Sequence, residues 1–365
     1  MKITDVRVTA FEYGDPVPGH WNGIIGYPQK ASKRRFSRVE IHTDSDVVGM
    51  TLGGSRALVE GSLKDVILGE DPMRTEHLWQ QMYQGNWRKP VAKGEHIRAM
   101  SYIDNALWDL KGKVLGEPVW RLLGGAQTRV PAYAAGGYYQ KGKGLRELCA
   151  EAEKSISAGF RGVKMKIGWS GITLKEDAER VKAVREAIGP DIDLMIDANN
   201  AWDAITSIRF GRMVEELDIF WFEEPVHADD LRGSAKVVEG LNMPVATGEN
   251  EFTRWGFRDL IDIQGVDIVQ ADPGVCGGIS EWIKIAAYAG AHHLNMAPHG
   301  NAHLGSVCVA AVSNGLIVEH YGMMSSQRNT YVEPPDFRDG YITLPESPGL
   351  GIEWNEAAIQ QGAKG

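Results

Sequence analysis

The chain has 365 residues, of which 43% are hydrophobic and 24% are charged. This length suits a barrel with a smaller partner domain better than a single small domain. The formal net charge of -9 disfavours nucleic acid or an anionic membrane as the main partner, but it does not disfavour a small anionic substrate.

The amino terminus and the cysteines indicate where the protein resides. The segment MKITDVRVTAFEYG shows the alternation of apolar and polar residues that is typical of a strand, and it lacks the apolar core of a signal peptide. No run of about 18 uncharged apolar residues occurs, so a membrane span is not expected. Cys149, Cys276 and Cys308 lie in apolar segments and form no CxxC pair. We therefore expect buried free thiols in a cytoplasmic protein.

The first third of the chain predicts an α+β unit. Lys2–Glu12 and Arg35–Thr51 have the residue types of strands, and the Gly- and Pro-rich segment Gly14–Gln29 predicts a loop between them. Helical periodicity then follows at Ala57–Leu68, Arg74–Tyr83 and Glu95–Val114.

After Gly125, short apolar runs alternate with amphipathic helices, which is typical of βα units around a parallel sheet. One such helix runs from Leu174 to Ile188 and is ended by Gly189-Pro190. The strand candidates are VPAYAAGG, GVKMKIG, DLMIDANN, IFWFEEP, MPVATGEN, DIVQADP, HLNMAPHG and LIVEHYG. They number about eight, as a closed barrel requires. The tail after residue 340 returns to strand and turn residues and is expected to pack on the first unit.

The ends of the predicted barrel strands carry charged residues. Six successive strand ends carry Lys164 with Lys166, Asp197, Glu223, Glu249, Asp272 and His299, and a seventh carries Glu319. The carboxyl ends of barrel strands meet at one mouth, where active sites lie. Charges there are costly unless they are paired, metal-bound or used in chemistry, so we predict that these residues share one site.

Lys164 and Lys166 are two residues apart and therefore point to the same side of a strand, while Val163, Met165 and Ile167 point to the helices. Two adjacent ammonium groups are expected to lower each other's pKa, which would allow one of them to act as a base near neutral pH. The apolar alternates disfavour the other interpretation, an edge strand with solvated lysines.

Asp197, Glu223 and Glu249 end three consecutive predicted strands. Three converging carboxylates would raise one another's pKa without a cation, and an all-oxygen ligand set with open positions suits Mg²⁺, or Mn²⁺ in its place. Helix capping would explain one such acid but not three in phase. We therefore predict a metal site.

Neighbouring polar residues are expected to play supporting roles. Asn199 and Asn250 are expected to orient the ligands or the substrate. Glu224 follows Glu223 and is expected to face away or to lie at the start of a helix, so it is secondary.

His299 and Asp272 belong to strands that should be neighbours. A carboxylate bonded to one ring nitrogen fixes the tautomer and leaves the other nitrogen to exchange protons. Glu319 completes the ring and, if protonated, would donate a hydrogen bond to an enolate-like oxygen.

Together these motifs resemble the mandelate racemase branch of the enolase superfamily, over almost the full chain. The matching segments are IDNALWDLKGKVLGEPVWRLLGG, KMK, the three carboxylates, the Asp272–His299 pair and Glu319. The muconate-lactonizing branch is less similar, because it has a lysine in place of Asp272. The resemblance implies an α/β fold: a modified TIM barrel, (β/α)7β, over residues 126–340. An α+β capping domain of residues 1–125 would be completed by residues 341–365.

The resemblance also implies roles. Lys166 would be one base, Lys164 its electrostatic partner at the substrate carboxylate, and His299 with Asp272 the acid/base pair on the opposite face. Glu319 would hydrogen-bond the enediolate that forms when the proton alpha to the carboxylate is removed. One Mg²⁺ per subunit would stabilise that dianion. The substrate would be a small carboxylate, and a homo-oligomer is expected because related barrels commonly assemble.

The second step of the reaction stays open. We favour dehydration of an aldonic or aldaric acid to a 2-keto-3-deoxy acid, because that branch is dominated by such dehydratases and the loop Gly14–Gln29 carries polar groups, including His20 beside Trp21, that suit a polyol. Its glycines predict a movable lid. The alternatives are a racemase or epimerase of a 2-hydroxy acid, and a non-catalytic binding barrel, which the intact set of catalytic side chains disfavours.

Overall fold

The structure is a computed structural model that describes residues 1–17, 20–21, 32–84, 92–321 and 332–362. Within these residues, an amino-terminal antiparallel sheet with its helices packs against a barrel of parallel strands. The fold is the predicted one, a capping unit and a modified TIM barrel. No helix in the described ranges is long and apolar enough to cross a membrane.

The amino-terminal sheet has the order β1-β3-β4, with antiparallel pairing throughout. Its strands and the following helices are β1 Ile3–Val17, β2 His20–Trp21, β3 Ser32–Thr43, β4 Gly49–Leu52, α1 Arg56–Leu58, a π-helical segment Val59–Leu63, α2 Lys64–Ile67, α3 Thr75–Gln84 and α4 Glu95–Leu115. β2 pairs with a strand of the barrel loops, β6 Tyr139–Gln140, rather than with this sheet.

Two of the predictions for this unit were wrong in detail. The strand predicted over Arg35–Thr51 is a hairpin of β3 and β4, because the Thr43 hydroxyl accepts a hydrogen bond from the Ser45 backbone N–H (3.2 Å) and fixes a turn in the sequence TDSD. β1 and β2 extend into the segment predicted as a loop. The three predicted helices form, and α4 ends at Gly116, whose φ of 71° suits glycine.

The barrel contains eight parallel strands in chain order, as predicted. These are β5 Arg129–Ala135, β7 Gly162–Lys166, β8 Asp193–Asp197, β9 Ile219–Glu223, β10 Val245–Thr247, β11 Ile268–Val269, β12 Asn295–Met296 and β13 Val318–His320. β5 pairs with both β7 and β13, and a parallel bridge between Met296 and Gly315 joins β12 to the segment before β13. The sheet therefore closes on itself.

Helices surround the barrel and cover its outer face. They are α5 Val119–Leu122, α6 Leu145–Ser157, α7 Leu174–Ile188, α8 Ala204–Val214 with a 3₁₀ turn Glu215–Leu217, α9 Leu231–Gly240, α10 Thr253–Asp262, α11 Ile279–Ala291 and α12 Ala302–Ala311. The Thr173 side chain caps α7 by accepting a hydrogen bond from the Glu176 N–H, and α7 ends at Gly189 as predicted.

The carboxyl-terminal segment contacts both units. Its strands β14 Asp336–Arg338 and β15 Tyr341–Thr343 form a hairpin that adds to β5 of the barrel. Its helix α13 Glu356–Gly362 lies against β1, and Glu356 pairs with Arg38 of β3 at 2.5 Å. The domain boundaries predicted at residues 125 and 340 stay predictions.

Helix α4 joins the capping unit to the barrel at the loop between β11 and α11. The Asn105 amide donates to the carbonyl of Pro273 (2.9 Å) and accepts from the N–H of Ile279 (2.9 Å). The buried Asp104 carboxylate accepts from the backbone N–H of Ser280 at 2.8 Å and so caps α11. This loop contains Asp272, so α4 helps to fix the position of that carboxylate.

Candidate active site

Strand β7 brings both lysines into the barrel interior. The side chain of Lys164 is fully buried and that of Lys166 is 6% exposed. Val163 and Met165 point the other way, into the apolar layer under the helices, as the alternation predicts. Lys166 lies opposite Asp197 in the register between β7 and β8.

The lysines are paired with carboxylates from other strands. The Lys164 ammonium contacts Glu223 and lies 2.9 Å from Glu319, and the Lys166 ammonium contacts Asp197. Burial alone would lower both lysine pKa values, but these carboxylates raise them above the usual value. The expectation of mutually depressed lysines was therefore wrong for this arrangement, because attraction to the carboxylates outweighs burial and the repulsion between the two ammonium groups.

The three predicted metal ligands lie at the ends of β8, β9 and β10, next to one another. Asp197 accepts a hydrogen bond from the Asn199 backbone N–H (2.8 Å), and Glu223 accepts one from Trp221 (2.9 Å) and one from Gln270 (2.7 Å). Burial, together with the neighbouring carboxylates, raises the pKa of Glu223 to about 7, even though Lys164 lowers it. A site that concentrates carboxylates in this way favours a cation.

Glu249 provides the clearest sign that a cation fits. Its Oε2 is buried and makes no hydrogen bond, and its pKa is raised mainly by burial and also by Asp197. An acceptor-only oxygen of this kind is what a hard divalent ion requires. Within the described ranges no three His, Cys, Asp or Glu side chains have metal-binding spacing. Lys164 and Lys166 contact the oxygens of Glu223 and Asp197 in this arrangement. The ligand set therefore stays a prediction.

His299 and Asp272 form the predicted contact across the mouth of the barrel. The imidazole Nδ1 lies 2.8 Å from Asp272 Oδ2, and the two residues follow the paired strands β12 and β11. Burial would lower the pKa of His299, but the carboxylates of Glu249, Glu319 and Asp272 raise it well above its usual value. These carboxylates favour the protonated form of His299, and an imidazolium can donate a proton.

Glu319 differs from its prediction. Burial would raise its pKa, but Lys164 and His299 lower it to about 2. The carboxylate is ionised and accepts a hydrogen bond from the Gly300 N–H at 2.9 Å. The proposal that a protonated Glu319 donates a hydrogen bond was therefore wrong for this arrangement, since two cations stabilise the anion.

The asparagines support a different carboxylate from the one expected. The Asn250 and Asn200 amides donate to the two oxygens of Glu224 at 2.7 and 2.6 Å, and Glu224 is buried rather than facing away. Asn199 meets Asp197 through its backbone N–H. Sequence reasoning missed Asn200 as well as the two donors to Glu223, because neutral polar side chains at strand ends are too common to signal a site.

A cavity of about 790 Å³ opens beside His299, between the barrel mouth and the capping unit. Asp272, Tyr138 and Tyr321 line its barrel side, and Tyr102 of α4 lines it from the cap. The side chains of His20 and Trp21 and most of the predicted lid lie outside the described residues, so their contact with substrate stays a prediction.

Two protein families match most of the chain. Residues 29–124 match the mandelate racemase/muconate lactonizing enzyme N-terminal domain. Residues 147–358 match the family described as enolase C-terminal domain-like.

Curated relatives cover nearly the whole chain. An arabinonate dehydratase of Saccharolobus solfataricus is 36% identical over 334 residues, which is 88% of this chain and 89% of that protein. A D-galactarolactone cycloisomerase of Agrobacterium fabrum is 34% identical and covers 99% of this chain and 98% of its own length.

Solved structures agree in fold. A racemase from Streptomyces coelicolor with bound magnesium has a TM-score of 0.88 at 29% identity, covering 99% of this chain and 100% of that one. An L-talarate/galactarate dehydratase mutant liganded with Mg and L-glucarate has the same TM-score and identity, covering 100% of this chain and 92% of that one. Both structures contain magnesium.

Proposed function

Because this chain belongs to the mandelate racemase/muconate lactonizing enzyme family of the enolase superfamily, we propose that it dehydrates a sugar acid to a 2-keto-3-deoxy acid. The reaction would begin with removal of the proton alpha to the substrate carboxylate. It would end with loss of the hydroxyl from the next carbon. The cofactor of the family is Mg²⁺.

The lysine side of the site, which consists of Lys164 and Lys166, would perform the first step. Lys166 would take the α proton in its neutral form, and Lys164 would stay charged beside the substrate carboxylate. Burial lowers the pKa of Lys166, and the Asp197 carboxylate raises it. The protonation of Lys166 therefore depends on how much negative charge Asp197 retains. Because the net effect is a raised pKa, Lys166 would become a suitable base once the charge of Asp197 is offset, so that burial favours the neutral lysine.

Asp197, Glu223 and Glu249 would hold the cation. When bound, a divalent ion supplies positive charge beside the substrate carboxylate and so lowers the free energy of the dianion formed by proton removal. Gln270 and Trp221 would keep Glu223 in place through their hydrogen bonds to its Oε2.

The histidine side of the site, which consists of His299 and Asp272, would perform the second step. His299 would donate its proton to the departing hydroxyl, so that the oxygen leaves as water. Asp272 would hold the imidazole through Nδ1, so that Nε2 is the nitrogen that makes this transfer. The observations that carry the dehydratase proposal are the 36% identity to an arabinonate dehydratase over 88% of this chain and the 2.8 Å contact with Asp272, which positions the His299 imidazole as the acid that C–O cleavage needs.

The experiment is incubation of the purified protein with Mg²⁺ and a panel of aldonic acids, aldaric acids and their lactones, with measurement of 2-keto acid formation. We expect at least one six- or five-carbon acid to be dehydrated. Absence of 2-keto acid across the panel, with deuterium exchange at the alpha carbon of an aromatic hydroxy acid, would sink the dehydratase proposal.

Racemisation or epimerisation is the second candidate. Lys166 and His299 lie on different strands of the same mouth, and His299 has the proton that replacement on the other face of the carbon would require. This candidate predicts inversion at the alpha carbon without loss of water. Polarimetry or chiral chromatography of the recovered acid distinguishes it from dehydration.

A further inference from the structure

The reacting nitrogen of His299 faces one neutral side chain as well as carboxylates. Nε2 lies 3.6 Å from Glu249 Oε2 and 3.7 Å from Glu319 Oε2, but 3.3 Å from the hydroxyl of Tyr321. Among the described side chains, Tyr321 is the hydrogen-bond partner of this nitrogen, because Asp272 occupies Nδ1. The sequence did not single out Tyr321, which follows Glu319 by two residues at the end of β13.

The phenol differs chemically from the two carboxylates near Nε2. An ionised carboxylate accepts hydrogen bonds but has no proton to pass on, whereas a hydroxyl accepts one hydrogen bond and donates another. Tyr321 also lines the 790 Å³ cavity, whose lining does not include His299 itself, so the phenol would connect Nε2 with the space that a substrate would fill.

We propose that Tyr321 is a further catalytic residue, which carries the proton from His299 Nε2 to the leaving hydroxyl of the substrate. This inference rests on the proposed dehydration. As the C–O bond breaks, its electron pair stays on the departing oxygen, which takes the phenolic proton and leaves as water. The phenol oxygen takes the Nε2 proton at the same time. Tyr321 is therefore unchanged and His299 ends neutral.

The same geometry explains how one site would separate its two steps. Lys166, on β7, would act on the alpha carbon, whereas Tyr321, on β13, would act only on the departing oxygen. Loss of the phenol should therefore slow dehydration and leave proton removal intact. A residue that merely supports packing would slow both steps together or neither.

The test is the variant Tyr321→Phe, which removes only the hydroxyl, with Tyr288→Phe as the control. Tyr288 lies on α11 and its hydroxyl contacts Asp262, outside the cavity lining. Holoenzyme with Mg²⁺ and the sugar acid that the wild type dehydrates is assayed in D₂O, and deuterium at C2 of the recovered substrate is measured by NMR. Thermal unfolding confirms that both variants fold.

We expect kcat for 2-keto acid formation to fall about 10–100-fold in Tyr321→Phe with little change in KM, a typical size for loss of a proton-transfer group. Deuterium incorporation per product formed should rise, because the intermediate returns to substrate more often than it loses water. Unchanged kcat, a loss confined to KM, or a parallel fall of exchange and dehydration would each overturn the inference. A wild type that makes no 2-keto acid would instead show that the proposed function itself fails.

Discussion

The lysine side and the histidine side of this site are held by different means. Lys164 and Lys166 lie on β7, whose five residues are all in register with β8. β11 and β12 are each two residues long. Asp272 lies three residues after the end of β11, and His299 lies three residues after the end of β12. Strand register fixes the first pair, whereas loops fix the second.

The difference shows what the capping unit contributes. Asn105 and Asp104 of α4 hold the loop that contains Asp272, whereas the ammonium groups of Lys164 and Lys166 pair with carboxylates of the barrel strands. Substitutions in the cap should therefore disturb dehydration more than proton removal. The predictions below test this contrast, beginning with the largest expected effect.

Replacing the proposed base tests the lysine side alone. Lys166→Ala should lower kcat by about 10³-fold, since a positioned base contributes on this order. Turnover of the sugar acid by a coupled 2-keto acid assay measures it. The exposed Lys236 of α9 provides the matched control, Lys236→Ala, which should retain full activity.

Glu249 lies between the two sides, with Asp197 on one flank and His299 on the other. Glu249→Gln should weaken Mg²⁺ binding roughly 10–100-fold, because one of three charged ligands becomes neutral. The rise of the thermal midpoint with added Mg²⁺ measures binding without using activity. A variant with the wild-type Mg²⁺ dependence would remove Glu249 from the ligand set.

Breaking the cap contact tests the histidine side. Asn105→Ala leaves the Pro273 carbonyl and the Ile279 N–H without their partners, and should cost about 1–3 kcal/mol of unfolding free energy. Dehydration should fall more than deuterium exchange at the alpha carbon, by roughly tenfold. Arg7→Ala, at an exposed position in the cap, is the control. Equal losses in both reactions would remove the contrast between the two sides.

The smallest expected effect concerns pH and the same helix. Burial raises the pKa of Asp104 to about 7, although hydrogen bonds from Ser280 and the charge of Lys284 oppose the rise. The folded protein thus holds this proton more tightly than the unfolded chain does. Its stabilisation is complete below about pH 4 and is lost as the pH rises through about 7.

Asp104→Asn should therefore flatten the decline of stability between about pH 4 and about pH 7, where the wild type loses up to about 1.4 kcal/mol per pH unit from this group. Urea unfolding at a series of pH values measures the slope. If the wild type and the variant have parallel pH profiles, Asp104 does not titrate in this range.

The sequence predicts the framework well because local pattern determines it. Eight apolar runs, seven of them followed by charges, define eight strands and one mouth, and the spacing of Lys164 and Lys166 fixes their common side. The hairpin turn after Thr43 was missed because its polar residues interrupt an otherwise continuous strand pattern. α4 was predicted as a helix, but its contact with the loop after Asp272 depends on tertiary packing.

The protonation states of the site residues could not be predicted from the sequence, for a physical reason. Whether the pKa of Lys166 is lowered or raised depends on which carboxylate from another strand lies close to its ammonium group, and only the folded structure fixes that distance. Glu319 was likewise assigned the wrong protonation, because its contact with Lys164 joins the first and last thirds of the barrel. Tyr321 gave no signal, since a tyrosine at a strand end is usually structural.

The central claim, removal of an α proton by Lys166, is tested most directly by NMR in D₂O with Mg²⁺ and a sugar acid substrate. The wild-type protein should incorporate deuterium at C2 of the recovered substrate or at C3 of the 2-keto acid product. Lys166→Ala should bind the substrate with similar affinity but incorporate deuterium at neither position. Normal exchange and turnover by Lys166→Ala would contradict the account.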